Sequence, residues 1–351
     1  MDLISRLVDR FTLTSKNEVV AIYPDDQSGF IDGNFDSWQI ATSFSLAAAT
    51  DTYTADMWVC NAGTGGAATV SQDTPALGSE PSYMTQPRIY RMSYAQTTSA
   101  STSPTIGQKL ESVFQYNGQS ITVSGTFAAL ASGTDIVGVQ ATQNFGTGGS
   151  PSASVVTSKT VAWALTTTEQ RFSVRLDIPS IAGKTLGSNA NDFLRVDFLL
   201  ATGSTYTVYA SQVQIDLCAS TASSDTTGSG GAPQPFRWRG VGLERTRVAR
   251  HILSITLPAG SGNFIGVVTS PTDAWAWFPL PSAMRATPAG SYLGGAPIFG
   301  GAVAVSGSPT VSANSNKIAA LHATGSGLTA GTALYFAGGT GGTTLIWDAR
   351  L

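Results

Sequence analysis

Apolar residues along most of the chain come in short runs, alternating with polar ones and cut off by Gly, Ser, Asn and Pro. That is the pattern of half-buried strands, whose side chains point alternately to a core and to water, and not the 3.6-residue period of a helix. Ten runs lie between positions 30 and 220, at 53–60, 67–72, 88–95, 109–115, 120–128, 136–144, 159–163, 170–176, 194–200 and 208–217. A second group follows at 252–257, 264–269, 274–278, 302–305, 317–323, 333–336 and 344–347. Strands in such numbers without intervening helices predict an all-β chain: an antiparallel jelly-roll β-sandwich followed by a smaller second β domain. Ile31-Asp32-Gly33-Asn34-Phe35-Asp36-Ser37-Trp38-Gln39-Ile40 opens the first region, and Tyr53-Thr54-Ala55-Asp56-Met57-Trp58 continues it with the same aromatic and polar alternation. Both stretches read as strands, with Trp38 and Trp58 as core anchors.

The N-terminus departs from this period. Leu3, Ile4, Leu7, Val8 and Phe11 fall at helical spacing, with Asp2, Arg6, Asp9 and Arg10 on the opposite side. So short an amphipathic helix is marginal alone and needs something to dock on, which makes these five residues the candidates for assembly and attachment. Docking in an assembly is favoured over packing on the same chain. The linker signal is at 221–235, rich in Ser, Thr, Gly and Pro. The expected layout is an attachment arm over 1–29, the sandwich over 30–220, a linker with an arginine-rich strap over 221–242, and a C-terminal β domain over 243–351.

Composition narrows the function. Only 12% of the 351 residues are charged and the formal net charge is −3. There is no basic footprint for nucleic acid and no basic amphipathic face for a membrane, nor a secretory signal or a stretch long enough to insert in a bilayer. Cys60 and Cys218 read as buried thiols, with a late disulfide between neighbouring strands as the minority alternative.

Candidate chemistry is sparse. The two histidines, His251 and His322, stand beside no catalytic signature, no Gly-x-Ser-x-Gly elbow is present, and no cluster has transition-metal spacing. An enzyme is not expected. The one reaction still open to such a chain is glycoside cleavage by two carboxylates, from among Glu80, Glu111, Asp192, Asp197 and Asp216. No cofactor is expected. A structural Ca²⁺ suits such sandwiches, but its ligands are not legible. The glycine-rich stretches at 63–67 and 146–150 lack the following helix that a phosphate cradle needs, so they read as turns.

Binding residues are better placed. Arg237, Arg239, Arg245, Arg247 and Arg250 form the one dense basic stretch. It is either a strap whose guanidinium groups pair with carboxylates and carbonyls, or, through Arg245 and Arg247, a patch for an anionic sugar. Trp275 and Trp277 lie two apart, so on a strand both rings share one face. That face is either the core of the second domain or an exposed platform for sugar rings. Tyr90 with Arg91 and Tyr94, and Tyr206 with Tyr209, are weaker versions of the same idea.

Several motifs resemble a group of bacteriophage and phage-like tail or minor virion structural proteins with a carbohydrate-binding-module-like jelly roll. The opening Ile31–Gln39 stretch and Tyr53-Thr54-Ala55-Asp56-Met57-Trp58 are similar to that group's start. The same holds for Gln143-Asn144-Phe145-Gly146-Thr147-Gly148-Gly149-Ser150, Leu176-Asp177-Ile178-Pro179-Ser180-Ile181-Ala182-Gly183, Met284-Arg285-Ala286-Thr287-Pro288 and the terminal Trp347-Asp348-Ala349-Arg350-Leu351. The group usually carries a cysteine- and tyrosine-containing segment after the linker, where this chain has Arg245-Thr246-Arg247-Val248-Ala249-Arg250-His251, so no ligand role carries over there. The resemblance implies a non-enzymatic virion protein, assembled in the host cytoplasm and displayed on the particle as a tail fibre or baseplate part, or as a head spike. The tail is favoured. Its implied partners are other virion proteins, further copies of itself (a trimer by default, with a pentamer or hexamer if the mount is a vertex or ring), and host-surface polysaccharide. The alternatives are a purely architectural decoration protein and a tailspike-like depolymerase.

Overall fold

A computed structural model describes residues 29–75, 90–217, 236–260, 262–300, 309–326 and 328–351. The expected helix with Leu3, Ile4, Leu7, Val8 and Phe11, the linker at 221–235, the run at 302–305, Glu80 and Cys218 lie outside the described residues. The rest is antiparallel β-structure with one helix among the described residues, as the alternating pattern predicts. The chain divides into two units: the first holds Ser43–Thr52 and Trp58–Arg239, and the second combines Gly240–Leu351 with two early segments, Ser37–Thr42 and Tyr53–Met57.

The first unit is a jelly-roll sandwich. Its strands are β1 (Ser43–Leu46), β2 (Thr52–Tyr53), β3 (Trp58–Asn61), β4 (Ala68–Asp73), β5 (Arg91–Gln96), β6 (Thr105–Glu111), β7 (Ser120–Ala129), β8 (Gly133–Asn144), β9 (Val155–Leu165), β10 (Gln170–Asp177), β11 (Phe193–Leu200) and β12 (Tyr206–Leu217). They form two six-stranded sheets, ordered β1-β4-β5-β12-β7-β10 and β2-β3-β6-β11-β8-β9. Inward-pointing aromatics lock the layers together: Phe127 on β7 meets Phe198 on β11 at 5.0 Å and Trp163 on β9 at 5.6 Å, and Trp163 stacks on Phe172 of β10 at 5.1 Å. Each large side chain withdrawn from water in this way contributes about 2 kcal/mol.

The opening stretch is not a strand. It is a turn in which Asp32 and Phe35 take positive φ (54° and 56°), closed by Phe35 N–H donating to the Asp32 carbonyl at 3.0 Å and Asp36 N–H donating to Asp32 Oδ1 at 2.9 Å. The turn exists to fill the sandwich. Phe30 and Phe35 pack on the fully buried indole of Trp58 at 5.0 and 4.7 Å, and that indole donates to the Asp32 carbonyl at 3.0 Å. Gly33 lies so close to β12 that a Cβ there would sit 1.9 Å from the Val213 carbonyl oxygen, while Val213 N–H donates to the Gly33 carbonyl at 2.8 Å. Trp58 is the core anchor expected; Trp38 is only half-buried.

The second unit begins with α1 (Val241–Ala249), which buries Val248, and continues in β13 (Ile252–Leu257), β14 (Gly262–Val268), β15 (Asp273–Pro279), β16 (Ala289–Gly294), β17 (Ile298–Gly300), β18 (Thr310–Ser315), β19 (Ile318–Thr324), β20 (Ala333–Ala337) and β21 (Thr343–Asp348). A three-stranded sheet, β13-β21-β16, and a six-stranded sheet, β17-β20-β14-β15-β19-β18, enclose a core around Trp347, Phe336, Leu345, Leu321 and Leu257. Phe278 of β15 meets Trp347 of β21 edge-on at 5.0 Å across that core.

Candidate functional site

β15 carries the strictest alternation in the second unit. Ala274 and Ala276 are buried in the core and Phe278 packs against it, so Asp273, Trp275 and Trp277 point to the outer face. The small inward alanines, across from Ala323 and Leu321 of β19, leave the bulk of the strand outside. The tryptophan face is therefore not the core of this unit. Trp277 is 44% exposed and Trp275 is half-buried. The two indoles are parallel to within 3° with centroids 5.8 Å apart.

Register brings in residues that no spacing in the sequence announces. His322 of β19 is directly opposite Trp275, and its ring lies flat against that indole at 3.9 Å and 15°. Its Nε2 bonds Asp273 Oδ1 at 2.9 Å, while Asp273 Oδ2 accepts the hydroxyls of Ser270 and Thr272, both at 2.7 Å, from the β14–β15 turn. These three hydrogen bonds, Ser270 first, hold the Asp273 carboxyl at about 2, below its usual 3.8. On the other side of β15, Val267 of β14 pairs with Trp275, and Ile265, two residues before it, is 84% exposed opposite Tyr335 of β20. The site is thus a parallel tryptophan pair bordered by an Asp–His couple on one side and by exposed Ile265 and Tyr335 on the other.

The remaining candidates lie elsewhere. Arg245 and Arg247 are on α1, which leads into β13 of the three-stranded sheet, whereas the tryptophans are on the six-stranded one. Arg237 pairs with the buried carboxylate of Asp216, and Arg239 donates to the Phe30 carbonyl at 3.3 Å, so these two serve as a strap within the first unit. The carboxylates considered for glycoside cleavage are mostly engaged in structure. Asp197, buried, accepts Arg195 Nε at 2.8 Å, and Asp192 accepts the Val113 N–H at 2.8 Å. Tyr94 is fully buried beside Tyr206, and Tyr209 lies under the Arg91 guanidinium at 3.8 Å, so these aromatics also belong to the sandwich. Cys60 is buried, with its Sγ 3.9 Å from Met92 Sδ. Among the described residues no three His, Cys, Asp or Glu side chains cluster as metal ligands.

No protein-family model and no curated protein matches the chain. Solved structures do. The CBM22-2 xylan-binding domain of Paenibacillus barcinonensis Xyn10C matches with a TM-score of 0.30 and 10% identity, over 53% of this chain and 98% of that one. The N-terminal cellulose-binding domain of Cellulomonas fimi β-1,4-glucanase C matches at 0.29 and 16%, over 46% and 89%. The enzymatically active domain of bacteriophage CBA120 tailspike protein 4 matches at 0.28 and 10%, over 53% and 20%. Likeness at this level assigns neither ligand nor activity.

Proposed function

We propose that this chain is a non-enzymatic structural protein of a phage-like virion, displayed on the particle as a homo-oligomer, and that it binds host-surface polysaccharide through the outer face of β15. The virion setting rests on the motif resemblance in the sequence. The binding role rests on one observation above all, that Trp275 and Trp277 lie parallel on the outer face while Ala274 and Ala276 fill the core side. Aromatic rings so arranged offer their faces to the apolar face of a pyranose, and a hydrogen-bonding group at their border gives orientation. The test is binding of host polysaccharide by the full chain and by a folded Trp275→Ala/Trp277→Ala variant. Equal binding by the two would refute the platform.

A second reading has its own observation. Ile265, Ile298 and Tyr335 are also exposed on this sheet, and a contiguous apolar face can be covered by another copy of the chain, as in a purely architectural protein. Light scattering of the wild type and of Ile265→Ser separates the two: an oligomer that falls apart in the variant, with no glycan bound by the wild type, favours architecture. A depolymerase would release new reducing ends from host polysaccharide, and none are expected.

A further inference from the structure

We infer that the platform selects a neutral polysaccharide, with Asp273 and His322 as the polar groups that read its hydroxyls; the inference rests on the glycan-binding reading above.

The couple is built for hydroxyl recognition. A carboxylate offers about four lone-pair directions. Ser270, Thr272 and His322 occupy three of those on Asp273, whose side chain is 36% exposed, and this leaves one on Oδ1 for a ligand hydroxyl. Because Nε2 of His322 faces that carboxylate, the neutral ring carries its hydrogen there and turns Nδ1 into an acceptor. The His322 side chain is 22% exposed and flat against Trp275, so a sugar stacked beside that indole meets two acceptors at its edge. Sugar hydroxyls are donors and satisfy both.

An acidic sugar does not fit. The Asp273 carboxylate remains ionised at any pH of interest, and a uronate placed over Trp275 would face it at close range. Among the described residues no lysine or arginine bonds to or pairs with Asp273. Lys317, the one lysine after position 240, precedes His322 by five residues, about 17 Å along an extended strand and beyond the screening length of ~8 Å at physiological salt. The arginines of this unit are in α1, just after it, or next to β21, where Arg285 Nε donates to the Ala349 carbonyl and Arg350 pairs with Asp348.

The experiment uses the full chain at pH 8 throughout. Binding is measured to a soluble 1,4-glucan, a galactan and a mannan, and then to the C6-oxidised, uronate form of whichever binds best. The oxidised polymer is expected to bind about tenfold more weakly, as one unscreened like-charge contact near the surface requires. In Asp273→Asn, which keeps the shape of the side chain, the gap should shrink to about threefold or less. His322→Gln is expected to weaken the neutral polymer severalfold, and a thermal melt confirms that each variant is folded. Equal or tighter binding of the oxidised form, or an unchanged gap in Asp273→Asn, overturns the neutral-sugar inference and leaves the platform standing. If none of the three neutral polymers binds, or if Trp277→Ala binds as well as the wild type, the platform reading itself fails. A wild type that binds nothing and is oligomeric, beside a monomeric Ile265→Ser, gives the face to a second copy and overturns both.

Discussion

The hydroxyl of Tyr53 donates a 2.6 Å hydrogen bond to the main-chain carbonyl of Leu351, 298 positions away. The Arg350 guanidinium lies over the same ring at 4.1 Å and donates to the Asp56 carbonyl at 2.9 Å. The other early segment supports the edge strand of the small sheet: Gln39 Oε1 accepts the Ser254 N–H at 3.0 Å, and its Nε2 reaches the Ile252 carbonyl at 3.4 Å. Asp56 fixes Gln39 in turn, accepting its main-chain N–H at 2.8 Å and its Nε2 at 2.9 Å. Unpaired strand edges are costly to leave open, so these segments complete a unit whose strands come some two hundred residues later.

Asp56→Ala is therefore expected to destabilise the second unit by about 3 kcal/mol, because Asp56 is fully buried and its loss strands the Gln39 donors and the Ser37 hydroxyl. Tyr53→Phe removes a single bond and should cost about 1 kcal/mol. Hydrogen exchange of the β13 and β21 amides measures both. Unchanged protection in Asp56→Ala would show that the unit does not depend on the early segments.

The turn at Asp32–Phe35 makes a comparable prediction for the sandwich. Gly33→Ala places a methyl against the Val213 carbonyl, with no flexible side-chain end to yield, and should cost several kcal/mol in denaturant unfolding. Trp58→Ala, which empties the space between Phe30 and Phe35, should cost about 4 kcal/mol. Trp38→Ala, at a half-buried position, should cost clearly less.

That contrast shows where sequence pattern stops informing. Runs such as 252–257 and 120–128 coincide with strands to within a residue, because short runs rich in Ile, Val, Thr and Phe favour extended backbone locally. The 31–40 stretch has similar alternation but folds as a turn, in which Asp32 and Phe35 take positive φ and the Gly33 carbonyl accepts the Val213 N–H from the irregular Ser211–Gln214 stretch of β12. Strands β16 and β18, rich in Gly, Ser, Ala and Asn, carry almost no hydrophobic signal and are recruited by pairing with β21 and β19. Within the site, Asp273 carried no signal of its own, whereas the shared face of Trp275 and Trp277 was legible from their spacing of two. His322 was not, because its place opposite Trp275 depends on strand register and not on nearness in the chain.

Acid should act on the β14–β15 turn in a defined window. Asp273 is held ionised by Ser270, Thr272 and His322 down to about 2, against 3.8 for a free side chain. A folded-state pKa below the unfolded one means that the unfolded chain binds the proton first. The carboxylate's contribution to stability is then fully present above about 3.8 and is lost as pH falls toward about 2. NMR titration of the Asp273 carboxyl should give a midpoint near 2, and a midpoint close to 3.8 would mean that the three hydrogen bonds do not persist in solution.

The two tryptophans should separate function from stability. Trp277 is the more exposed, so Trp277→Ala removes ring surface available to a ligand and little that the fold uses; its melting temperature should fall by only a degree or two. Trp275 is half-buried, and the His322 ring rests on it at 3.9 Å, so Trp275→Ala should cost about 1–2 kcal/mol and also release His322 from its stacked position. Both variants should lose polysaccharide binding at least tenfold, since each removes one of the two parallel indole surfaces on which the polymer stacks. Trp275→Phe, which keeps an aromatic surface under His322, should recover most of the stability and part of the binding. A Trp277→Ala variant that melts far below the wild type would show that the indole is a structural element of the sheet, and the case for a displayed platform would then fall.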